Sequence, residues 1–532
     1  MSRSFWLEDV PSPEAIGASL PSPFSIRAEP ARETTSTYLD SYDWRLTAKG
    51  GPIRVDRDGG DLTAVRETNG NRQVSTPLTV MPRWPGDLPR GALREGVLEA
   101  TEMRALLPIA EVTRSTRPLA VLNEDDKTVV RLRLEEAAAR IPEGTPVPPG
   151  KGRPPGANHG LNPRLTLQPV KGYDRELEAV AAALAAMDRL RPAAGSPFEE
   201  TVAALGRRPG DYSSKIDVGL QPEMTAVEAA RRIHRHLLGT LEANVEGARA
   251  DLDSEFLHDL RVATRRTRSA LTQIKGVLPP APLNDFKERF RWLGQITGPT
   301  RDLDVFLLGF EGYRARVPEA MQGDLEPYRA FLERRQREEQ QLLAKRLASP
   351  HFRKLLKDWR AFLETPQPTD PEAPNARRPA KAVADERIWK MFRRVIKEGR
   401  AITDDSPHEA IHELRKSGKK LRYLMEFFQD LYPAGDLQPL IKAIKALLDN
   451  LGEFQDLEVH AHKIREDAEA MAAEGGAGAD TLMAMGALVD DLLERQARVR
   501  GELAARFADF DAAPNRDAYK ALFKPAKEGK SA

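Results

Sequence analysis

The sequence predicts an α+β chain of two domains, a mostly antiparallel β domain followed by an all-α domain built from two related halves. Three observations carry this. Apolar and polar residues alternate in several stretches before about residue 170; from about 222 to 523 apolar residues recur with a period near 3.6; and one helical motif occurs twice at a fixed offset.

At 532 residues the prior is two or three domains, and 40% hydrophobic content suffices for sizeable cores. Charged residues make up 30% of the chain, yet the formal net charge is +1. Net charge therefore says little about partners, and local clusters matter more. There is no cysteine, which excludes disulfides, thiolate catalysis and cysteine zinc sites. The N-terminus lacks the apolar core of a signal peptide, and no stretch approaches the roughly 20 apolar residues of a membrane span. The expectation is a soluble, cytoplasmic, bacterial protein.

Residues 1–23 are rich in Pro and Ser and are expected to be loosely ordered. Period-2 patterns at 53–55, 130–134 and 164–168 predict half-buried strands, separated by Gly/Asn/Asp turns. The Pro/Gly-dense stretch 141–163 reads as a flexible insertion, and 174–190 as a helix. The first domain is expected over 24–200. The helical domain runs over 222–523, with repeat one at 222–362, a proline-rich linker at 363–380 and repeat two at 381–523. Each repeat has room for about four helices.

The duplicated motif reads Phe256-Leu-His-Asp-Leu-Arg-Val-Ala-Thr-Arg-Arg-Thr-Arg268 and Ala410-Ile-His-Glu-Leu-Arg-Lys-Ser-Gly-Lys-Lys-Leu-Arg422. His258 and His412 are 154 residues apart (412 − 258), and Arg301-Asp-Leu-Asp-Val305 meets Gln455-Asp-Leu-Glu-Val459 at the same offset (455 − 301). An ungapped offset over this length points to internal duplication.

On a helix, His258, Arg261, Arg265 and Arg268 share one stripe, as do His412, Arg415, Lys419 and Arg422, with Arg266 and Lys420 on the flank. Leu257, Leu260, Thr264 and Leu271, and Ile411, Leu414, Leu421 and Met425, form the opposite faces. Stacked cations repel by roughly 0.2–0.5 kcal/mol per pair. Retention of this arrangement in both copies suggests a compensating polyanion. Arginine binds phosphate bidentately, lysine adds point charge, and histidine donates most strongly when protonated. Arg231, Lys390 and Arg394, on the preceding helices, are further candidates. The bland alternative is a solvated basic face. For the second shared element, a structural role outweighs a carboxylate metal site. Gly298 and Gly452 read as helix starts, and Asp302 and Asp456 could orient the motif arginines. Trp292, Trp389, Phe427 and Phe428 read as core.

At the motif residues the chain resembles the CHAD domain, the conserved histidine α-helical domain, over about 222–523. The resemblance implies two four-helix bundles related by a pseudo-two-fold axis, with a basic central groove that binds inorganic polyphosphate. It places His258, Arg261, Arg265, Arg268, His412, Arg415, Lys419 and Arg422 at that groove. Residues 38–46, 50–54 and 129–134, with Arg114 or Arg117, are similar to the CYTH domain, a triphosphate-binding β-tunnel, here in degenerate form. That family opens on Glu-x-Glu-x-Lys; here 24–30 holds only Glu29, and Arg164-Leu-Thr-Leu-Gln168 replaces the late acidic strand. Two-metal phosphoryl chemistry needs several oxygen ligands. Phosphate binding through Arg54, Arg66, Arg114, Arg117, Arg131 or Arg133 would survive their loss.

The main expectation is therefore a non-catalytic polyphosphate-binding protein, with recruitment to polyphosphate granules and their proteins implied by the family. No catalytic or metal-ligating residue is assigned. No cofactor is required, and Mg2+ enters only as a counter-ion of the polyanion. The alternatives are a metal-dependent triphosphatase or polyphosphatase in the N-terminal domain, and nucleic-acid binding. The latter is disfavoured because, apart from Tyr423, no aromatics interleave the stripe.

Overall fold

A computed structural model describes residues 3–68, 72–187, 190–193, 195–365 and 372–525. The chain divides into two units, Met1–Ser213 and Ser214–Ala532.

The first unit contains β1 (Arg3–Leu7), α1 (Pro13–Ala18), β2 (Ser25–Ala28), β3 (Arg32–Asp40), α2 (Arg45–Ala48), β4 (Ile53–Asp58), β5 (Asp61–Thr68), β6 (Arg72–Leu78), α3 (Ala92–Thr101), β7 (Leu107–Leu122), β8 (Thr128–Arg140), β9 (His159–Gly160), β10 (Arg164–Pro169), α4 (Asp174–Ala185), β11 (Leu190–Pro192) and α5 (Pro197–Ala204). One antiparallel sheet runs β11-β1-β10-β8-β7-β3-β4-β5-β6, with β2 on β7 and β9 on β8. Its ends do not pair among the described residues, so hydrogen bonding leaves the expected tunnel open. β11 is three residues long and β6 carries Pro77, which has no N–H to donate.

The period-2 stretches at 53–55, 130–134 and 164–168 fall in β4, β8 and β10. Leu132, Leu134, Leu165 and Leu167 turn inward to meet Leu177, Val180 and Leu184 of α4. On the other part of the sheet, Leu39, Ile53 and Val55 pack with Leu93 and Val97 of α3. The turn after β3 is pinned by buried Asp40, which accepts from Ser41 N, Leu46 N and Thr47 N at 2.7, 2.8 and 2.9 Å and from Thr47 Oγ1 at 2.6 Å.

Two expectations for this unit are corrected. Residues 3–23 are not a loose tail. β1 pairs with β10 and β11, Phe5 and Leu7 enter the core, and Ile16 of α1 is buried. The 141–163 stretch is not a flexible insertion either. Ile141 is buried, Thr145 Oγ1 donates to Pro108 O at 3.0 Å, and Gly152 N and Arg153 N donate to Gly206 O and Leu205 O. Prolines and glycines there shape a fixed strap because its backbone finds partners distant in sequence.

The second unit is helical. Repeat one holds α6 (Ala226–Arg249), α7 (Ser254–Gln273), α8 (Pro280–Ile296), α9 (Gly298–Arg314), α10 (Glu326–Leu347) and α11 (Pro350–Glu364). Repeat two holds α12 (Ala380–Arg400), α13 (His408–Phe427), α14 (Ala434–Ala473), α15 (Ala479–Phe510) and α16 (Ala513–Phe523). Among the described residues the repeats thus have six and five α-helices, not about four each. The duplication is exact in its first three helix starts: α6 and α12, α7 and α13, and α8 and α14 are each offset by 154 (380 − 226, 408 − 254, 434 − 280).

Local chemistry sets these boundaries. Thr225 caps α6 through a capping box with Glu228, and Asp253 caps α7 by accepting from Glu255 N and Phe256 N. Gly298-Pro299 starts α9, because proline has no N–H to continue α8 and fits a first turn. Gly452 is not a helix start: it lies inside the 40-residue α14, where Glu453 stands at the position of Pro299 (453 − 299 = 154) and lets the helix run through.

The repeats share one core, with Phe306, Tyr328 and Phe331 of the first and Val383, Leu424 and Leu451 of the second in the same cluster. Equivalent elements meet: α6 touches α12, and α7 touches α13. Thr225 and Pro379, themselves 154 apart (379 − 225), form an isolated antiparallel bridge, as a local two-fold requires. In the expected linker, Asn375 N donates to Gly276 O at 2.7 Å. Phe427 and Phe428 are core as expected. Trp292 and Trp389 are half-buried, Trp292 lying edge-on to His351. No helix among the described residues is long and apolar enough to cross a membrane.

A Cβ at Gly247 would overlap the fully buried ring of Phe256. Gly247→Ala gains roughly 1 kcal/mol of helix propensity but loses about 1–3 kcal/mol to overpacking. Because the ring cannot retreat, the expected outcome is a lower unfolding midpoint for the helical unit, read by denaturant titration of far-UV circular dichroism.

Candidate functional site

α7 and α13 bury Leu257, Leu260 and Leu271, and Ile411, Leu414 and Leu421, and pack against each other. That packing fixes where their cations go. His258, Arg261 and Arg265 of α7 and Arg415 of α13 line one cleft of about 510 Å3. The cleft carries equivalent residues from both repeats: Arg261 and Arg415, Asp302 and Asp456, Val305 and Val459, Phe306 and His460. It therefore straddles the local two-fold.

The shared element of α9 and α14 positions the motif. Arg261 lies 3.9 Å from Asp302, and Arg415 donates to Asp456 at 3.4 Å. Both acids are well exposed, at 77% and 63%, so these contacts are loose. Each guanidinium also lies over a glycine. A Cβ at Gly298 would stand 3.4 Å from Arg261 Nη1, and one at Gly452 would stand 3.9 Å from Arg415. What these two glycines share is room for the motif arginine.

The two histidines are held alike but not identically. Arg301 Nη2 lies 3.0 Å from His258 Nδ1. A guanidinium can only donate, so Nδ1 accepts and the imidazole keeps its proton on Nε2. In repeat two, Gln455 Oε1 lies 2.6 Å from His412 Nδ1, so the histidine donates from that nitrogen. His412 is not among the residues lining the cleft.

Arg265 and Lys419 continue the seam, and neither makes an ion pair among the described residues. Lys419 is pulled down to about 8, first by burial and then by Arg415 and Arg265. Arg261 and Arg415 are drawn below the ordinary guanidinium value, chiefly by burial.

The remaining predicted residues are not among those lining the cleft. Arg266 donates to Ser214 O and to Glu426, both at 3.0 Å. Arg422 stacks on Tyr423 and lies 3.3 Å from Glu426, out of hydrogen-bond alignment. Arg268 faces α8, near Arg291 and Glu288. Lys420 faces Arg394, Lys416 and Glu413. Arg231 donates to Thr365 O at 2.8 Å, capping the end of α11. Arg394 pairs with Glu398 at 2.6 Å, and Lys390 is exposed on α12.

Four basic lining residues were not chosen from sequence. Arg301 lies within the duplicated element and was legible there. Arg335, His460 and Lys463 come from α10 and α14 and carry no repeat signal, since Phe306 and Gly309 occupy the positions of His460 and Lys463 in repeat one. His460 Nδ1 lies 2.8 Å from Tyr313 Oη, and burial lowers its pKa.

In the first unit the candidate arginines do not share one face. The pairings of Ile53 with Arg66 and of Arg54 with Val65 put Arg66 and Arg54 on opposite faces of the sheet. Arg66 is buried and donates to Gly51 O and Gly96 O, Arg54 pairs with Asp56, Arg114 sits near Tyr38, and Arg117, Arg131 and Arg133 are exposed. Among the described residues, no three His, Asp or Glu side chains converge as a metal-binding group.

The CHAD domain family model matches residues 232–465. Residues 232–465, which supply most of this site, thus belong to the CHAD domain family. The chain is also similar to the crystal structure of the CHAD domain from the plant Ricinus communis, at 25% identity and a TM-score of 0.46, covering 60% of this chain and 99% of that one. PptA from Streptomyces chartreusis matches at 13% identity and a TM-score of 0.40, over 56% of this chain and 100% of that one. No curated protein matches the chain.

Lys419 yields a signed prediction. Its folded pKa of about 8 lies below the ordinary value near 10.4, so from about pH 8 to 10.4 the unfolded chain holds a proton that the folded chain has lost. Stability rises with pH across that window. Lys419→Met is expected to raise the melting temperature at pH 7 by about 2–4 °C and to reduce the rise, read by thermal melts from pH 7 to 10.5.

Proposed function

We propose that this protein binds inorganic polyphosphate in the cleft between its two helical repeats and acts as a binding protein. One observation carries the reading: repeat-equivalent Arg261 and Arg415 line the same cleft, flanked by Arg265, Arg301, Arg335 and Lys463. A single-stranded polyanion offers a row of phosphates, and arginine forks from both repeats can each engage one. The loosely held carboxylates of Asp302 and Asp456 balance the arginines and can swing aside. His258, with its proton on Nε2, can donate to phosphate while neutral. Lys419 adds charge below about pH 8, and a bound polyanion raises its pKa, so binding near pH 8.5 takes up protons. Association of the protein with polyphosphate granules follows as a consequence of such binding.

Arg261→Ala/Arg415→Ala removes both forks. Hydrogen bonds to charged groups contribute about 1.5–3 kcal/mol each, so affinity is expected to fall by on the order of 100-fold or more. The measurement is polyphosphate titration of the wild type and the double variant at low and moderate salt, with folding checked by circular dichroism. Wild-type binding should weaken steeply as salt rises. Equal binding by the folded double variant would return the stripe to a structural role.

A further inference from the structure

The basic seam between α7 and α13 is not uniformly open. At Arg261 and Arg415 the counter-charges are exposed and distant. At Arg265 and Lys419 none is in place among the described residues. Beyond Lys419 the seam meets Glu426, whose carboxylate lies 3.0 Å from Arg266 of the other repeat and 3.3 Å from Arg422 of its own helix. Glu426 is 12% exposed, against 16% and 22% for the two arginines, so all three remain within reach of solvent while screened from it.

The duplication makes this acid stand out. Its equivalent in repeat one is Thr272 (426 − 272 = 154). A seam obeying the two-fold would carry no anion here. We propose that Glu426 is an internal anion that occupies one end of the seam, neutralises Arg266 and Arg422 in place of ligand phosphate, and confines the bound polyanion to the stretch between Arg261/Arg415 and Arg265/Lys419. Glu426 is thus a specificity determinant: it sets how many phosphates the protein engages and disfavours contacts beyond Lys419. This rests on reading the cleft as a polyphosphate site.

The physical requirement is competition. A carboxylate fixed on the same helix as Arg422 has no association cost, whereas a phosphate must be brought from solution and must displace it. Removing the negative charge reverses that balance and leaves two half-buried guanidinium groups seeking an anion.

The test uses the full chain and long-chain polyphosphate, with affinity measured across a salt series. For a flexible single-stranded polyanion the log–log salt slope steepens by about 0.7 per phosphate neutralised. Glu426→Gln is expected to bind roughly tenfold tighter at low salt, with a slope steeper by about 1.4 for two added contacts. Glu426→Gln/Arg266→Gln, which removes a half-buried cation together with the anion, frees Arg422 alone and should gain about half as much slope. Glu413→Gln makes the same charge change at an exposed position of α13 and should stay within about twofold of wild type. A folded Glu426→Gln that matches wild type in affinity and slope overturns the proposal, as does an equal gain in Glu413→Gln. If Glu426→Gln does not fold, the paired variant decides by the same criterion. Absence of binding by the wild type sinks both the polyphosphate reading and this inference, whereas wild-type binding with a flat response at position 426 sinks this inference alone.

Discussion

Two helices that each carry a row of cations are packed against each other, and much of the helical unit is arranged around that repulsion. Arg265 of one repeat sits close enough to Arg415 and Lys419 of the other to disfavour a proton on the lysine. At the partial burial of this seam such like-charge contacts are not fully screened. Juxtaposition is enforced by the apolar faces of α7 and α13, which bury Leu257, Leu260, Ile411 and Leu414 in the surrounding core. Among the described residues the strain is relieved unevenly, by exposed aspartates at one end, by half-buried Glu426 at the other, and by no ion pair in the middle.

Duplication explains how such a cleft arises, and departures from it explain its shape. A helix face that is tolerable once becomes a two-sided site when its copy is laid against it about a local two-fold. Symmetry is then broken at particular residues. Pro299 breaks α8 from α9 where Glu453 lets α14 run on. Arg301 makes His258 an acceptor at Nδ1, whereas Gln455 makes His412 a donor there. His460 replaces Phe306, and Glu426 replaces Thr272. Phe306 and His460 both line the cleft, and Arg301 lines it whereas Gln455 does not, so its two walls differ in chemistry although their backbones correspond.

The helical repeat and the identity of its basic stripe were legible because both are periodic and local. The 154-residue offset reappears unchanged in three helix starts. The pairing of Asp302 and Asp456 with the motif arginines was legible too, since the acids recur at the same offset. What could not be read is which cations remain available. Arg231 caps a helix end 134 residues away, and Arg266 finds Glu426 160 residues away. Nothing in the spacing of either arginine announces such a partner. The same holds for β1 and for the strap at 141–163, whose order comes from backbone partners remote in sequence. Composition reports what a segment can do alone, and these segments are not alone.

The contrast between two kinds of arginine–aspartate contact separates site from scaffold. Arg207 and Asp211 are buried to 2% and 3% exposure, 2.6 Å apart, with a second hydrogen bond at 3.1 Å. Removing either member would leave an uncompensated buried charge, so that pair is fixed. Arg261 and Arg415 are partly buried, but their aspartates are mostly in water, at 3.9 and 3.4 Å. Contacts of that kind contribute little stability and are given up at little cost. Two arginines desolvated enough to hold their positions, yet paired weakly enough to exchange partners, are what the proposed anion site requires: preorganised donors whose resident counter-charge is easily displaced. The duplication repeats that feature in both walls of the cleft.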